Sequence, residues 1–258
     1  MSTPVSTKLA PSMIIDPKIR RRYYHIYLIQ IWLSLLPAAF MAYWFYYPGE
    51  ESFLLPSLWP NVALWFYFIT APFYATLIYI VTVVWSALIT KLRLYLLDLR
   101  CEPREGVFRR DKSDRNYLYW NKRNMTRLFL FWLLHSTPFT FMKDYFSYKF
   151  FGVPVGKDAV LNHAWLSPEF IEIGDDVKIG QGACVYSYMF EQDKLLVAKV
   201  TIEDDVLIGP QCVLFPGTVV REGSTIDGGS FTHPFTELES HAVYHGTPVK
   251  KVLVDKKK

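Results

Sequence analysis

Residues 200–230, VTIEDDVLIGPQCVLFPGTVVREGSTIDGGS, bring back an aliphatic side chain at every sixth position: Ile202, Ile208, Leu214, Val220 and Ile226. The same period reaches upstream through IEIGDDVKIGQGACV, residues 171–185, with leading positions Val155, Leu161, Ser167, Ile173, Ile179 and Val185. After the eleven residues 191–201 interrupt it, the series ends in Thr232, Leu238 and Tyr244. A second slot falls four residues after each leading one, from Ala159, Trp165 and Ile171 through Ala242 to Pro248, and none of the 28 slots is charged. Asp175, Asp176, Asp204, Asp205, Arg221 and Glu222 lie between slots, where a turn would meet water.

A helix repeats about every 3.6 residues and a strand about every 2, so six fits neither. It does fit one flat strand plus one corner. Three hexads, about 18 residues, then close one triangular coil of a β-solenoid, and the inward aliphatics build a column that no single coil buries alone. Stacked strands in such a column lie about 4.8 Å apart. A β-sandwich would show strict alternation and turns every 8–12 residues or so, and neither is present.

These two stretches resemble the left-handed parallel β-helix of hexapeptide-repeat acyltransferases. HGTPVKKV, residues 245–252, is similar to their closing G-x-P-[AV] element, and the resemblance covers Gly152–Val252. It alone supplies the handedness, because crossovers between parallel strands are normally right-handed. More narrowly, two apolar segments, a basic linker and YSYMFEQDKLLVAKVTI, residues 186–202, resemble the membrane-embedded C-terminal modules of poly-amino-acid, polylysine-type nonribosomal peptide synthetases.

The N-terminal half has another texture. Across 258 residues, 51% are hydrophobic, 17% aromatic and only 20% charged, with mean hydropathy +0.12. Ile26–Tyr47 is a run of 22 residues without a charge, long enough for a hydrocarbon core of about 30 Å. The polar residues ahead of it and the lack of a small-residue cleavage site favour a retained anchor over a signal peptide. A second apolar helix is expected near Val62–Thr90, with Pro72 a kink. Lys18, Arg20, Arg21 and Arg22 precede the first span, Glu50 and Glu51 lie between, and Lys91 and Arg93 follow the second. That asymmetry puts both termini in the cytoplasm.

The expected organisation is therefore mixed. A cytoplasmic segment 1–24 leads into a two-helix transmembrane hairpin, 25–91. Interfacial linker helices follow over 92–151, including an amphipathic or re-entrant stretch at Met125–Phe141 with a third span as its alternative. The left-handed parallel β-helix occupies 152–252 with a loop at 191–201, and a basic tail fills 253–258. The localisation expected is integral membrane, with the β-helix on the cytoplasmic side and lipid as a partner. A net charge of +4, with basic residues bordering apolar runs, argues against nucleic acid. Cys101, Cys184 and Cys212 have neither paired spacing nor an even count, which fits a reducing compartment.

The family resemblance implies a homotrimer that moves an acyl group from acyl-CoA to an amine or hydroxyl in an intersubunit groove, with a histidine as base. Imidazole suits that step because its ordinary pKa lies nearest neutrality. His163, in LNHAWL, occupies the hexad place where nucleotide-sugar acyltransferases of this fold carry their base. His163 is thus the first choice of base, and His233, in THPFTE, reads as a turn cap beside Pro234 before it reads as a base. His241 and His245 read as solvated corners. In the synthetase modules a histidine stands two residues before Phe-Glu, where this chain has Tyr188, a poor base with a pKa near about 10. Tyr188, Glu191 and Asp193 are candidate acceptor contacts, the interrupting loop being free to reach a neighbouring subunit. Gly209, Gly217, Gly229 and Lys250 are the candidate coenzyme A contacts, although glycine at a corner also relieves a turn of unusual φ. Cys184 and Cys212 read as inert packing. No metal is expected, since the histidine spacing of γ-class carbonic anhydrases is missing. The substitution at Tyr188 leaves a second reading open: a trimeric scaffold without catalysis, or a subunit of a membrane complex with another chain as partner.

Overall fold

The computed structural model describes residues 17–46, 62–111, 113–135, 137 and 139–252. The acids between the apolar segments, the first sixteen residues and the basic tail lie outside these. The chain divides into a helical unit, Asp16–Arg100 with Asn121–Ser136, and a strand-rich unit, Cys101–Trp120 with Thr137–Lys258.

In the helical unit, α1 spans Pro17–Tyr46 and α2 Val62–Asp98. Both carry apolar windows long enough to cross a membrane, Tyr23–Trp44 and Phe68–Asp98. The second helix runs eight residues beyond the expected end at Thr90, because KLRLYLLD is made of strong helix formers. Small polar side chains bind the two helices together. Gln30 Nε2 donates to Thr90 Oγ1 at 2.9 Å, Ser34 Oγ to Ser86 Oγ at 3.0 Å, and the Arg93 guanidinium to Gln30 Oε1 at 2.6 Å. All four hydroxyl and amide residues are fully buried, so each bond satisfies groups that an apolar surrounding would penalise.

The third apolar stretch corrects an expectation. Helix α3 begins at Arg115, ten residues before Met125, and stops at His135 ahead of Pro138. Asp114 fixes its start by accepting from the backbone N–H groups of Asn116 and Tyr117 at 2.9 and 3.2 Å, an N-cap. Among the described residues, α1 and α2 are the helices that meet the membrane-length test, and α3 is not one of them. A short helix, α4, covers Thr140–Ser147, followed by a 3-10 turn at Lys149–Phe151.

In the strand-rich unit, strands of two to four residues assemble into three parallel ladders. The first pairs Ile173 with Ile202, Ile202 with Val220, and Val220 with Leu238. The second pairs Ile179 with Ile208, then Ile226, then Tyr244. The third pairs Leu166 with Val185 and Val185 with Leu214. Val220–Leu238 and Ile226–Tyr244 are offset by 18 residues, the length of three hexads. Ile173–Ile202, Ile179–Ile208 and Val185–Leu214 are all offset by 29. The interruption therefore adds its eleven residues without disturbing phase. The paired side chains form one buried core with Val177, Val206, Ala183 and Cys212.

Most corners between ladders use a left-handed residue, and these stack. Asp158, Asp176, Asp205, Gly223 and His241 form one column, with φ from +52° to +64°. His163, Gly182, Gln211 and Gly229 form a second, with φ from +57° to +72°. Phe170, Gly217 and Phe235 belong to the third. Tight corners of this kind favour Gly, Asn and Asp, which accounts for the polar residues between slots.

Three slots depart from the six-residue count. Leu166, not Ser167, pairs with Val185, so the first rung is one residue out of phase on the third ladder and Trp165 turns outward, half-buried. The repeat also stops early. After His245 the chain passes through the cis Thr247–Pro248 bond and returns antiparallel, Lys250–Val252 against Val243–His245, so Pro248 occupies no rung.

Candidate active site

The eleven-residue interruption is not a free loop. Tyr188–Glu191 and Lys194–Val197 form an antiparallel hairpin, and Gly106–Arg109 adds a third strand along Lys194–Val197. Two further bonds fasten it: Arg110 N–H to Asp193 O at 2.7 Å and Lys199 N–H to Glu105 Oε2 at 2.7 Å. The linker thus contributes a strand where helices were expected. Glu191 and Asp193 sit at the exposed hairpin tip, clamped by their own chain.

Tyr188 is half-buried at the root of this hairpin. Its ring meets Trp120 at 4.8 Å and 67°, and Trp120 also meets Phe190 at 5.5 Å, both edge to face. Arg110 lies over the outer face of Phe190 at 5.4 Å. Burial pushes the Tyr188 phenol up to about 12 and moves Tyr186 in the same direction, with its hydrogen bond to Cys184 adding to the effect. A phenol that holds its proton so firmly does not take one from an acceptor at neutral pH. Sequence reading missed Trp120 as the partner of Tyr188; nothing local links positions 68 residues apart.

Met189 and Leu196 of the hairpin pack with Phe215, and Val213 and Phe231 lie against them. Beside this apolar patch stands His233, exposed, its ring edge-on to Phe231 at 5.9 Å. The turn at His233 is capped by a different side chain. Thr236 Oγ1 donates to His233 O at 2.7 Å and accepts from His233 N–H at 3.1 Å. The imidazole is therefore not the turn cap.

His163 is exposed on the second corner column, one of four stacked left-handed residues that include Gly229. Its Nδ1 lies 3.4 Å from Lys143 Nζ on α4. An ammonium has only protons to offer, so Nδ1 acts as acceptor and the ring proton belongs on Nε2. His241 lies on the first corner column, and His245 Nδ1 lies 3.6 Å from Asp227 Oδ2, both exposed.

The glycines have structural explanations. A Cβ at Gly209 would stand 2.4 Å from Gly228 N, and one at Gly217 would stand 2.4 Å from the Phe235 ring. Adjacent rungs approach too closely there for any side chain. Gly229 is open to solvent, and its φ of +71° is one that glycine adopts without strain. Lys250 is exposed on the antiparallel return strand opposite His245. Cys212 is buried in the core, while Cys184 is half-buried on the outer side of the third ladder. Among the described residues, no three His, Cys, Asp or Glu side chains gather as a metal site.

Residues 199–231 match the family model of the hexapeptide repeat of succinyl-transferase. That stretch holds the five aliphatic leading positions from Ile202 to Ile226. Among curated proteins, it is 25% identical over 118 residues to "Putative acetyltransferase YvoF" of Bacillus subtilis (strain 168), covering 44% of this chain and 67% of that protein. Among solved structures, it is similar to the hexapeptide-repeat acetyltransferase VCA0836 of Vibrio cholerae, with TM-score 0.40 and 18% identity over 46% of this chain and 83% of that one. A maltose O-acetyltransferase of Clostridium difficile 630 gives TM-score 0.38 and 16% identity over 46% and 79%.

Proposed function

We propose that this hexapeptide-repeat chain is a membrane-anchored acyltransferase that takes an acyl group from acyl-CoA and delivers it to an amine or hydroxyl acceptor. In this reading residues 152–252 wind as a left-handed β-helix and three copies form a homotrimer whose intersubunit groove holds the reaction. Helices α1 and α2 cross the bilayer, with the strand-rich unit on the cytoplasmic side. The observation that carries the reading is the 18-residue ladder register lying in the stretch that matches the family repeat.

His233 is the base. It is exposed, its turn is already capped by Thr236, and it borders the apolar patch at the hairpin root. The imidazole takes the acceptor's proton as the acceptor's nitrogen or oxygen attacks the thioester carbonyl. The tetrahedral oxyanion collapses, expelling the coenzyme A thiolate, which receives that proton. His163 is the alternative base, but its Nδ1 first has to give up Lys143. Tyr188 forms part of the acceptor wall. Gly209, Gly217 and Gly229 present backbone along the cofactor's path, and Lys250 meets its phosphates.

The packing of Tyr188 against Trp120, where the synthetase modules carry a histidine, favours one second reading: a trimeric scaffold for a partner chain in the membrane. One experiment separates the two. The detergent-solubilised full chain is incubated with acetyl-CoA and a panel of amine and sugar-alcohol acceptors while thiol release is followed. Transferase predicts acceptor-dependent thiol release, lost in His233→Ala and retained in His163→Ala. Release unaffected by His233→Ala removes that residue from the mechanism, and no release with any acceptor supports the scaffold.

A further inference from the structure

We propose that α4 and the turn after it form a second membrane contact, a patch that seats the strand-rich unit in the headgroup layer of an anionic bilayer. The inference rests on the membrane reading of α1 and α2 but concerns different residues. Four rings follow one another along this segment, with Tyr145 exposed and Phe146, Phe150 and Phe151 half-buried beneath it. Tyr145 and Phe146 stand 5.1 Å apart, Phe146 and Phe150 5.5 Å, and Phe150 and Phe151 5.4 Å. Tyr145 is 51% exposed. The inner side of the same segment is fixed: Met142 and Tyr148 are 4% exposed, and the Tyr148 hydroxyl accepts from Leu166 N–H on the first rung at 3.2 Å. The rings are thus held at the surface by a residue rooted in the core.

Contiguous aromatic surface of this kind is costly in water and marks an interaction site. Its composition indicates the occupant. Amphipathic aromatic rings together with lysines concentrate at the membrane–water interface, where the rings sit among headgroups and the ammonium groups meet phosphates. Lys143 precedes the ring cluster and Lys149 falls within it, with Asp144 the one acid in the segment. At eight residues α4 is too short to span, so it can only lie in the plane. In the chain it begins four residues after the helical unit ends at Ser136. His163 is 3.4 Å from Lys143, which puts the start of the ladders next to the lipid surface.

The test labels the full chain with an environment-sensitive fluorophore at Tyr145→Cys or, as a second site, Lys149→Cys. Both are made with Cys101→Ser and Cys184→Ser and reconstituted into vesicles of phosphatidylcholine with about one third phosphatidylglycerol. Lipids bearing a nitroxide high on the acyl chain act as quenchers, Phe40→Cys on α1 is the spanning control, and Glu222→Cys is the aqueous control. The expected result is that both patch labels lose about half their emission, as the α1 label does and the Glu222 label does not. An α1 label that is quenched beside patch labels fully open to aqueous iodide overturns the patch while leaving the anchor. Patch labels shielded from both iodide and lipid quencher overturn it in favour of a protein contact, such as a second copy. An α1 label that escapes quenching removes the membrane reading itself.

Discussion

Trp120 holds the ring of Tyr188 edge to face at 4.8 Å. The phenol is packed, and burial holds its proton firmly. Tyr188→Phe preserves that packing and is expected to change stability by no more than about 0.5 kcal/mol. Trp120→Ala removes the ring on which the hairpin root rests and is expected to cost about 3–5 kcal/mol. Urea unfolding of the detergent-solubilised chain distinguishes the two.

The same burial makes an alkaline prediction. The Tyr188 phenol titrates at about 12 in the folded chain, against an ordinary value near about 10. Between these pH values the unfolded chain has released a proton that the folded chain still binds, so stability falls as pH rises through that window and is unaffected below it. Tyr186 shifts in the same direction. The double variant Tyr186→Phe, Tyr188→Phe should show a shallower loss of stability in that window than the parent, read from melting temperature against pH.

Gly209 and Gly229 should respond differently to a methyl group. At Gly209 the new atom meets the backbone of the next rung at 2.4 Å, whereas at Gly229 nothing lies within 4 Å. Gly209→Ala is expected to lose at least about 2 kcal/mol as rungs separate. Gly229→Asn, which tolerates the left-handed conformation, should stay within about 1 kcal/mol of the parent. Equal losses in thermal unfolding would contradict the rung spacing described.

A buried hydroxyl pair closes the third ladder. Thr232 Oγ1 lies 2.8 Å from Thr218 Oγ1 and accepts from Phe215 N–H at 3.0 Å. Thr232→Val keeps the shape but leaves that N–H without its acceptor, at an expected cost of about 1–3 kcal/mol. Thr232→Ser should recover most of it. Amide exchange at Phe215 offers the direct readout, fast in the valine variant and slow in the serine one.

The ladders were legible because their signal is a single number. Ile202, Val220 and Leu238 fall at one phase of the six-residue count, Ile173 joins them once the eleven-residue interruption is set aside, and they pair as that count requires. Where a different physical term decides, the count fails. The first rung reaches Leu166 instead of Ser167 because a rung prefers an aliphatic side chain inward over strict spacing. The partner of the hairpin, Gly106–Arg109, lies in a four-residue strand with no pattern long enough to read, and its pairing with Lys194–Val197 joins segments far apart in sequence. At the candidate site, the sequence supplied His163, Tyr188 and His233 as residue types. It carried no sign that Lys143 would face the first, Trp120 would pack the second, or Thr236 would cap the turn of the third. Each depends on an approach that only the folded chain creates.

The offset of 29 across the hairpin, beside 18 elsewhere, means that the stack does not register what is spliced into it. The excursion behaves as a cassette: eleven residues enter between two rungs whose aliphatic pairs, Ile179–Ile208 and Val185–Leu214, stay matched.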